Sequence, residues 1–329
     1  MKNTNTQQEN LRRQTFGVEV ECYGITRENA AKTAAAFFRK PNAYEYAGEG
    51  YMKWVAYDKQ ERRWEFAYDS SIEANCPEEK CEMVTPILTY SDLPMLSELL
   101  TALKNAGAQS DSAHKCGIHI HIGIGGERPH TPKTIRNLVN LMASHEKQIG
   151  RVISLDPYRE GYCEAISRKF LDAVNKNKYT DWTSLAKAWY RENGCGPSDW
   201  KQHYSDSRYH ALNLHPCMSW KLGGEATYGT NHAKPTIEFR LFQFSEERGI
   251  QPDELTAFIQ LCLAMSERAK AVKTASPKPQ QKDNEKYAFR CWLLQLGFIG
   301  DEFKTSRNVL LRNVPGNSAW RTEEQARAH

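Results

Sequence analysis

No stretch of the 329-residue chain is long and apolar enough to cross a membrane: the longest weakly polar run, residues 255–266, falls well short of the ~20 residues that a spanning helix requires. The first 13 residues carry Asn, Gln, Thr and Arg without an apolar segment, so they do not read as a secretory leader, and a cytoplasmic protein is expected. The nine cysteines are odd in number and include no C-x-x-C pair, which argues against a disulfide framework. Cys76 and Cys81 are close, but the second pair that a structural zinc site needs is missing. Charge of one sign is also scarce. Residues 266–329 hold 12 Lys/Arg against 7 Asp/Glu and residues 1–265 hold 32 against 33, an excess too small to mark a nucleic-acid binder by itself. No G-x-x-x-x-G-K-[ST] phosphate loop and no internal repeat occur.

What the sequence does hold is the composition of a globular protein, 40% apolar and 26% charged, in a chain long enough for one large or two average domains. The pattern divides it into a body over 1–265, a polar loop or linker over 266–286, and a C-terminal segment over 287–329 that regains apolar residues. Period-2 alternation predicts strands in Phe16-Gly-Val-Glu-Val-Glu-Cys22, Gly117-Ile-His-Ile-His-Ile-Gly123 and Thr236-Ile-Glu-Phe-Arg-Leu-Phe242, and a less regular one over 207–214. Further strands are expected over 51–57, 63–68 and 81–85. Stripes at Leu93, Leu96, Leu100 and Leu103, at Ile135, Leu138, Val139 and Met142, and at Leu255, Phe258, Ile259 and Cys262 predict helices, two of them opened by Pro132 and Pro252. Strands mixed with helices too long for hairpins point to an α+β fold.

The chemistry lies on the polar sides of those strands. Glu19 and Glu21, His119 and His121, and Glu238 and Arg240 each emerge on one face while bulky apolar residues back the other. If the strands share a sheet, these faces line one cavity, and uncompensated carboxylates there must be wet or must bind cations. Carboxylate oxygens with an imidazole suit Mg²⁺ or Mn²⁺, and Arg240 would face an anion beside them. Two other readings stand beside this one: a metal-dependent hydrolase using the His-x-His strand, and a catalytically inactive nucleotide-binding module. A nucleophilic Cys116 at the start of the histidine strand is a further alternative.

Five ordered motifs, Phe16-Gly-Val-Glu-Val-Glu21, Cys81-Glu-Met-Val-Thr-Pro86, Cys116-Gly-Ile-His-Ile-His-Ile-Gly123, Arg208-Tyr-x-x-x-Asn213 and Thr236-Ile-Glu-Phe-Arg240, resemble those of the amidoligase family, carboxylate–amine ligases with the glutamine synthetase fold. The tail, Leu296-Gly-Phe-Ile-Gly-Asp-Glu-Phe303 and Gly316-Asn-Ser-Ala-Trp-Arg321, is also similar. The resemblance implies a twisted antiparallel sheet forming a funnel, with helices on its outer face, ATP entering one end and two or three Mg²⁺ or Mn²⁺ ions at its waist. It implies that 1–265 is the catalytic domain, with 287–329 packing on it. Mapped by motif, Glu19, Glu21, Glu82, His119 and Glu238 resemble metal ligands. His121 and Asn213 fall beside the nucleotide, and Arg208 and Arg240 resemble contacts to phosphate or acyl phosphate. Asp69, in Glu65-Phe-Ala-Tyr-Asp-Ser-Ser71, sits where relatives have an Asp-x-Ser segment and is the candidate base; Ser70 replaces the usual glycine. The implied reaction joins a small-molecule or peptide carboxylate to an amine through an acyl phosphate. A modified nucleobase remains among the substrates and a homo-oligomer among the assemblies.

Overall fold

Side-chain alternation along β1 (Thr15–Cys22) sets the architecture, because it turns Phe16, Val18 and Val20 to one side and Glu19 and Glu21 to the other. The computed structural model describes residues 2–48, 50–224, 233–279 and 284–319; Trp320 and Arg321 of the tail motif and residues 280–283 of the polar stretch lie outside these. The other strands are β2 (Tyr44–Gly48), β3 (Lys53–Tyr57), β4 (Arg63–Ala67), β5 (Cys81–Val84), β6 (Leu88–Thr89), β7 (Ile118–Gly123), β8 (Leu212–Asn213) and β9 (Thr236–Phe242). They form one antiparallel sheet in the order β2-β3-β4-β5-β1-β7-β9-β8, open at both edges, with β6 paired to the start of β1. β5 and β6 are one strand interrupted by a bulge: residues 85–87 oppose only Gly17 and Val18, and the Thr85 hydroxyl accepts the Val18 N–H at 2.9 Å.

The helices are α1 (Lys2–Arg12), α2 (Arg27–Phe37), α3 (Leu93–Asn105), α4 (Pro132–Val152), α5 (Pro157–Glu160), α6 (Arg168–Asn177), α7 (Trp182–Glu192), α8 (His215–Lys221), α9 (Pro252–Ala271), α10 (Glu285–Gln295) and α11 (Lys304–Leu311). The three apolar stripes read from the sequence lie on α3, α4 and α9 and are buried. Pro132 and Pro252 open their helices, and the Thr131 side chain caps α4 by accepting the Thr134 N–H. α9 is buried along most of its surface and contacts α1, α3, α4, α11 and the back of β7. α2 crosses β3 and β4 through Ala30, Ala31, Ala34 and Ala35, small side chains that allow close approach to the sheet.

The sheet therefore has one dry face. Val18, Val20, Ile118, Ile120, Ile122, Ile237, Phe239, Trp64, Phe66 and Met83 form a single core with these helices, and Leu293, Phe298, Phe303 and Leu310 belong to the same core. Each such side chain contributes roughly 1.5–3 kcal/mol when fully buried. Three segments differ from the sequence reading, the first being residues 266–271, which that reading assigns to the polar loop or linker and which instead form the buried end of α9. Residues 206–208 form a single tight turn and only Leu212 and Asn213 pair as a strand, against Phe239 and Glu238 in the middle of β9. α2 has no sequence stripe of large apolar residues, since alanine carries its contact with the sheet. No helix among the described residues is long and apolar enough to cross a membrane.

Candidate active site

Antiparallel register places the polar face in rows. Glu21 stands opposite Glu82, Glu19 opposite His119, and His121 and Asn213 opposite Glu238 from either side. With Arg240, Arg208 and Asp69 they line one cavity of about 1210 Å³. Every residue mapped by motif to metal, nucleotide, phosphate or base thus reaches the same cavity, although Arg208 and Asp69 stand apart from the central carboxylates; Cys116 does not line it.

Two carboxylate groups flank the imidazole of His119. Glu19, Glu238 and His119 offer ligand atoms within 4.8 Å of one another, and so do Glu21, Glu82 and His119. His119 Nδ1 faces the first group, 3.1 Å from Glu19 and 3.8 Å from Glu238, while Nε2 lies 3.8 Å from Glu21. The first group is surrounded by positive charge and donors. Lys234 Nζ is 3.3 Å and His121 Nε2 3.2 Å from Glu19. Arg240 and Asn213 donate to Glu238 at 2.6 and 2.7 Å. Burial would raise both carboxyls, but Lys234 and the histidines hold Glu19 well below the usual range, and Arg240, ahead of the histidines, brings Glu238 down to about 2.

The second group has no such balance. Glu82 makes no hydrogen bond or ion pair among the described residues, and burial together with the charges of Glu19, Asp69 and Glu21 pushes its carboxyl well above the usual range. Glu21 accepts the Gly117 N–H at 2.6 Å, and its nearest cation is Arg159 at 3.9 Å. Arg159 comes from α5, is 4% exposed, and donates to the carbonyl of Arg240 at 3.0 Å. Its guanidinium fits only because residue 117 is glycine: a Cβ there would lie 2.2 Å from Nη1. Oxygen and imidazole donors with excess negative charge fit a divalent cation. The Arg240 Nε, buried and without a partner among the described residues, fits a further anion beside it.

Arg159 and Lys234 were not found from the sequence. Arg159 lies in a four-residue helix without periodicity, and Lys234 stands just before β9, so no spacing rule points to either. Asp69 accepts from the amide and hydroxyl of Ser71 at 2.7 and 2.6 Å, which fixes its carboxylate in the cavity lining. Cys116 is fully buried, and burial followed by the charge of Glu21 pushes its thiol upward, the opposite of what a nucleophilic thiolate requires. All nine cysteines are unbridged.

Carboxylates gathered round an imidazole, with arginines beside them in a single deep cavity, define a site able to hold cations against a phosphoryl or carboxyl anion. The chain belongs to the family whose model, described as "Putative amidoligase enzyme", matches residues 12–266. No curated protein matches it. Among solved structures it is similar to a bifunctional glutathione synthetase from Pasteurella multocida, at 12% identity over 94% of this chain and 48% of that one, with a TM-score of 0.44. That likeness is too distant to carry an assignment.

Proposed function

We propose that the chain is an ATP-dependent carboxylate–amine ligase working through an acyl phosphate, and that its open sheet serves as a funnel of the glutamine synthetase type. The observation that supports this best is the pairing of Glu238 with Arg240 beside His119, which sets a cation site and an anion site next to each other on one strand face. Glu19, Glu238 and His119, and Glu21, Glu82 and His119, would hold two or three Mg²⁺ or Mn²⁺ ions. Such ions, when bound, neutralise the charge that builds up in phosphoryl transfer. In this reading a substrate carboxylate oxygen attacks the γ-phosphorus of ATP and ADP leaves. An amine then attacks the acyl carbon and phosphate leaves, giving the amide.

The chain's own groups have clear parts in that sequence. Arg240 presents a planar fork to the transferring phosphoryl group, and its bond to Glu238 fixes the fork's direction. His121, anchored through Nδ1 to Thr236 at 3.1 Å, stands with Asn213 and Lys234 on the nucleotide side. Asp69, held by Ser71, takes the proton that an ammonium must lose before it attacks.

The test is incubation with ATP, Mg²⁺ and a pooled panel of amines and carboxylates, following ADP release beside mass spectrometry of products. ADP and a condensed amide should appear together and vanish with chelator. Cleavage of an amide without ATP, or full turnover in chelator, overturns the assignment, the former in favour of the hydrolase.

A further inference from the structure

The two ends of the cavity differ in chemistry. β1 runs from Thr15 at one end towards Glu21 at the other. Near Thr15 lie Lys234, Thr236 and the glycines following β7, where a Cβ at Gly125 or Gly126 would meet nothing within 4 Å. Open backbone with hydroxyls and one lysine suits a polyphosphate.

The opposite end, past Glu21 and Arg159, is a wall of tyrosines interleaved with cations. Lys115 Nζ stands 4.7 Å from the ring centre of Tyr158, whose ring is 5.4 Å from that of Tyr162. Tyr162 meets Tyr209 edge-on at 6.1 Å, and the Arg208 guanidinium lies 5.8 Å from Tyr209 and 5.3 Å from Tyr204. Lys115 is ion-paired with Glu73. Arg208 has no carboxylate partner among the described residues and donates only to the carbonyl of His203, at 3.3 Å. Tyr204 is 63% and Tyr158 45% exposed, large rings held open at a mouth rather than packed away.

Resting on the ligase reading, we propose that this belt recognises the acid substrate, and that this acid carries a flat ring and a second anionic group that pairs with Arg208. Stacking and edge contacts with tyrosine favour a ring. A small aliphatic acid reaching Arg240 would leave the wall uncovered. A polyamine at the belt would meet the like charges of Lys115 and Arg208. An arginine steadied between two rings and lacking an anion is prepared for a carboxylate or similar group in fork geometry.

The experiment is ligand-observed NMR on the full chain without ATP or metal, with benzene-1,3-dicarboxylate, glutarate and spermine as probes. The aromatic diacid should bind about tenfold tighter than glutarate, with spermine not competing. Arg208→Gln should weaken it about tenfold. Tyr204→Leu, at an exposed ring, should weaken it several-fold with an unchanged melting temperature. Equal binding of glutarate, displacement by spermine, or indifference to both substitutions overturns the proposal, as does displacement by ADP, which would give the belt to the nucleotide. Because no turnover is needed, the two readings fail separately: probe binding without ADP formation in the ligase assay sinks the ligase, and ADP formation without probe binding sinks only the belt.

Discussion

On one side of His119 each carboxylate has its counter-charge inside the protein, Glu19 with Lys234 and Glu238 with Arg240; on the other, Glu21 has one backbone amide and an arginine at 3.9 Å, and Glu82 has neither among the described residues. The same residue types on the same sheet face therefore do different things. The Glu19–Glu238 side is balanced as it stands and holds Arg240 in place. The Glu21–Glu82 side carries surplus negative charge, so it gains most from an added cation, and that asymmetry can be broken deliberately.

The largest effect is expected from His119→Ala, which removes the nitrogens facing both groups and should cut ATP turnover by about a thousand-fold. Glu21→Gln and Glu238→Gln should also abolish turnover. Near-normal rates for all three, with circular dichroism unchanged, would show that the groups are not the working centre. Next comes Gly117→Ala, which drives the Arg159 guanidinium from its cradle. It should weaken Mn²⁺ binding by about 10- to 100-fold in calorimetry, as outer partners of a metal site do, and Arg159→Met should reproduce the loss. If calorimetry shows Gly117→Ala binding Mn²⁺ as the unaltered chain does, Arg159 does not support Glu21.

A smaller effect concerns stability without metal. Folding raises the Glu82 carboxyl, so the folded state holds the proton more tightly than the unfolded one. Stability should accordingly fall as pH rises from the ordinary glutamate range through the raised value. Glu82→Gln should flatten that slope, raise the metal-free melting temperature at pH 7 by about 2–4 °C, and reduce the added stability that Mn²⁺ confers. A lower melting temperature would mean that Glu82 is compensated after all. The smallest effect lies on the far side of the molecule. Burial lowers Lys270 to about 8, although Glu267 opposes this. The unfolded lysine then keeps its proton at higher pH than the folded one, so stability should rise between pH 8 and the ordinary lysine range, and Lys270→Met should erase the rise. Chemical denaturation across that range checks it.

Much of this was legible because two-residue periodicity encodes both faces of a strand at once. Glu19, Glu21, His119, His121, Glu238 and Arg240 could be placed on one face from alternation alone, and their isoleucine, valine and phenylalanine neighbours on the other. Glu82 stood in a strand of only four residues, and Asn213 in one of two, so their placement depended on motif order rather than on period. Nothing local marks Arg159 or Lys234, whose positions follow from how α5 and the lead into β9 approach the sheet. Nor does a sequence show that tyrosines from residues 158, 162, 204 and 209 gather at one mouth, since that depends on how two separate connections approach each other.

The interruption at Pro86 has a dynamic consequence. Although the neighbouring strand is broken there, Thr85 substitutes a hydroxyl for the missing ladder contact, so the backbone of β1 is engaged on both edges along its length. Amides in β1 and β7 should then exchange with deuterium only on global opening, whereas those around Tyr158 and Tyr204 exchange through local motion. Side chains on such a platform cannot drift, and variation in what the cavity receives falls to loops that can change without disturbing it.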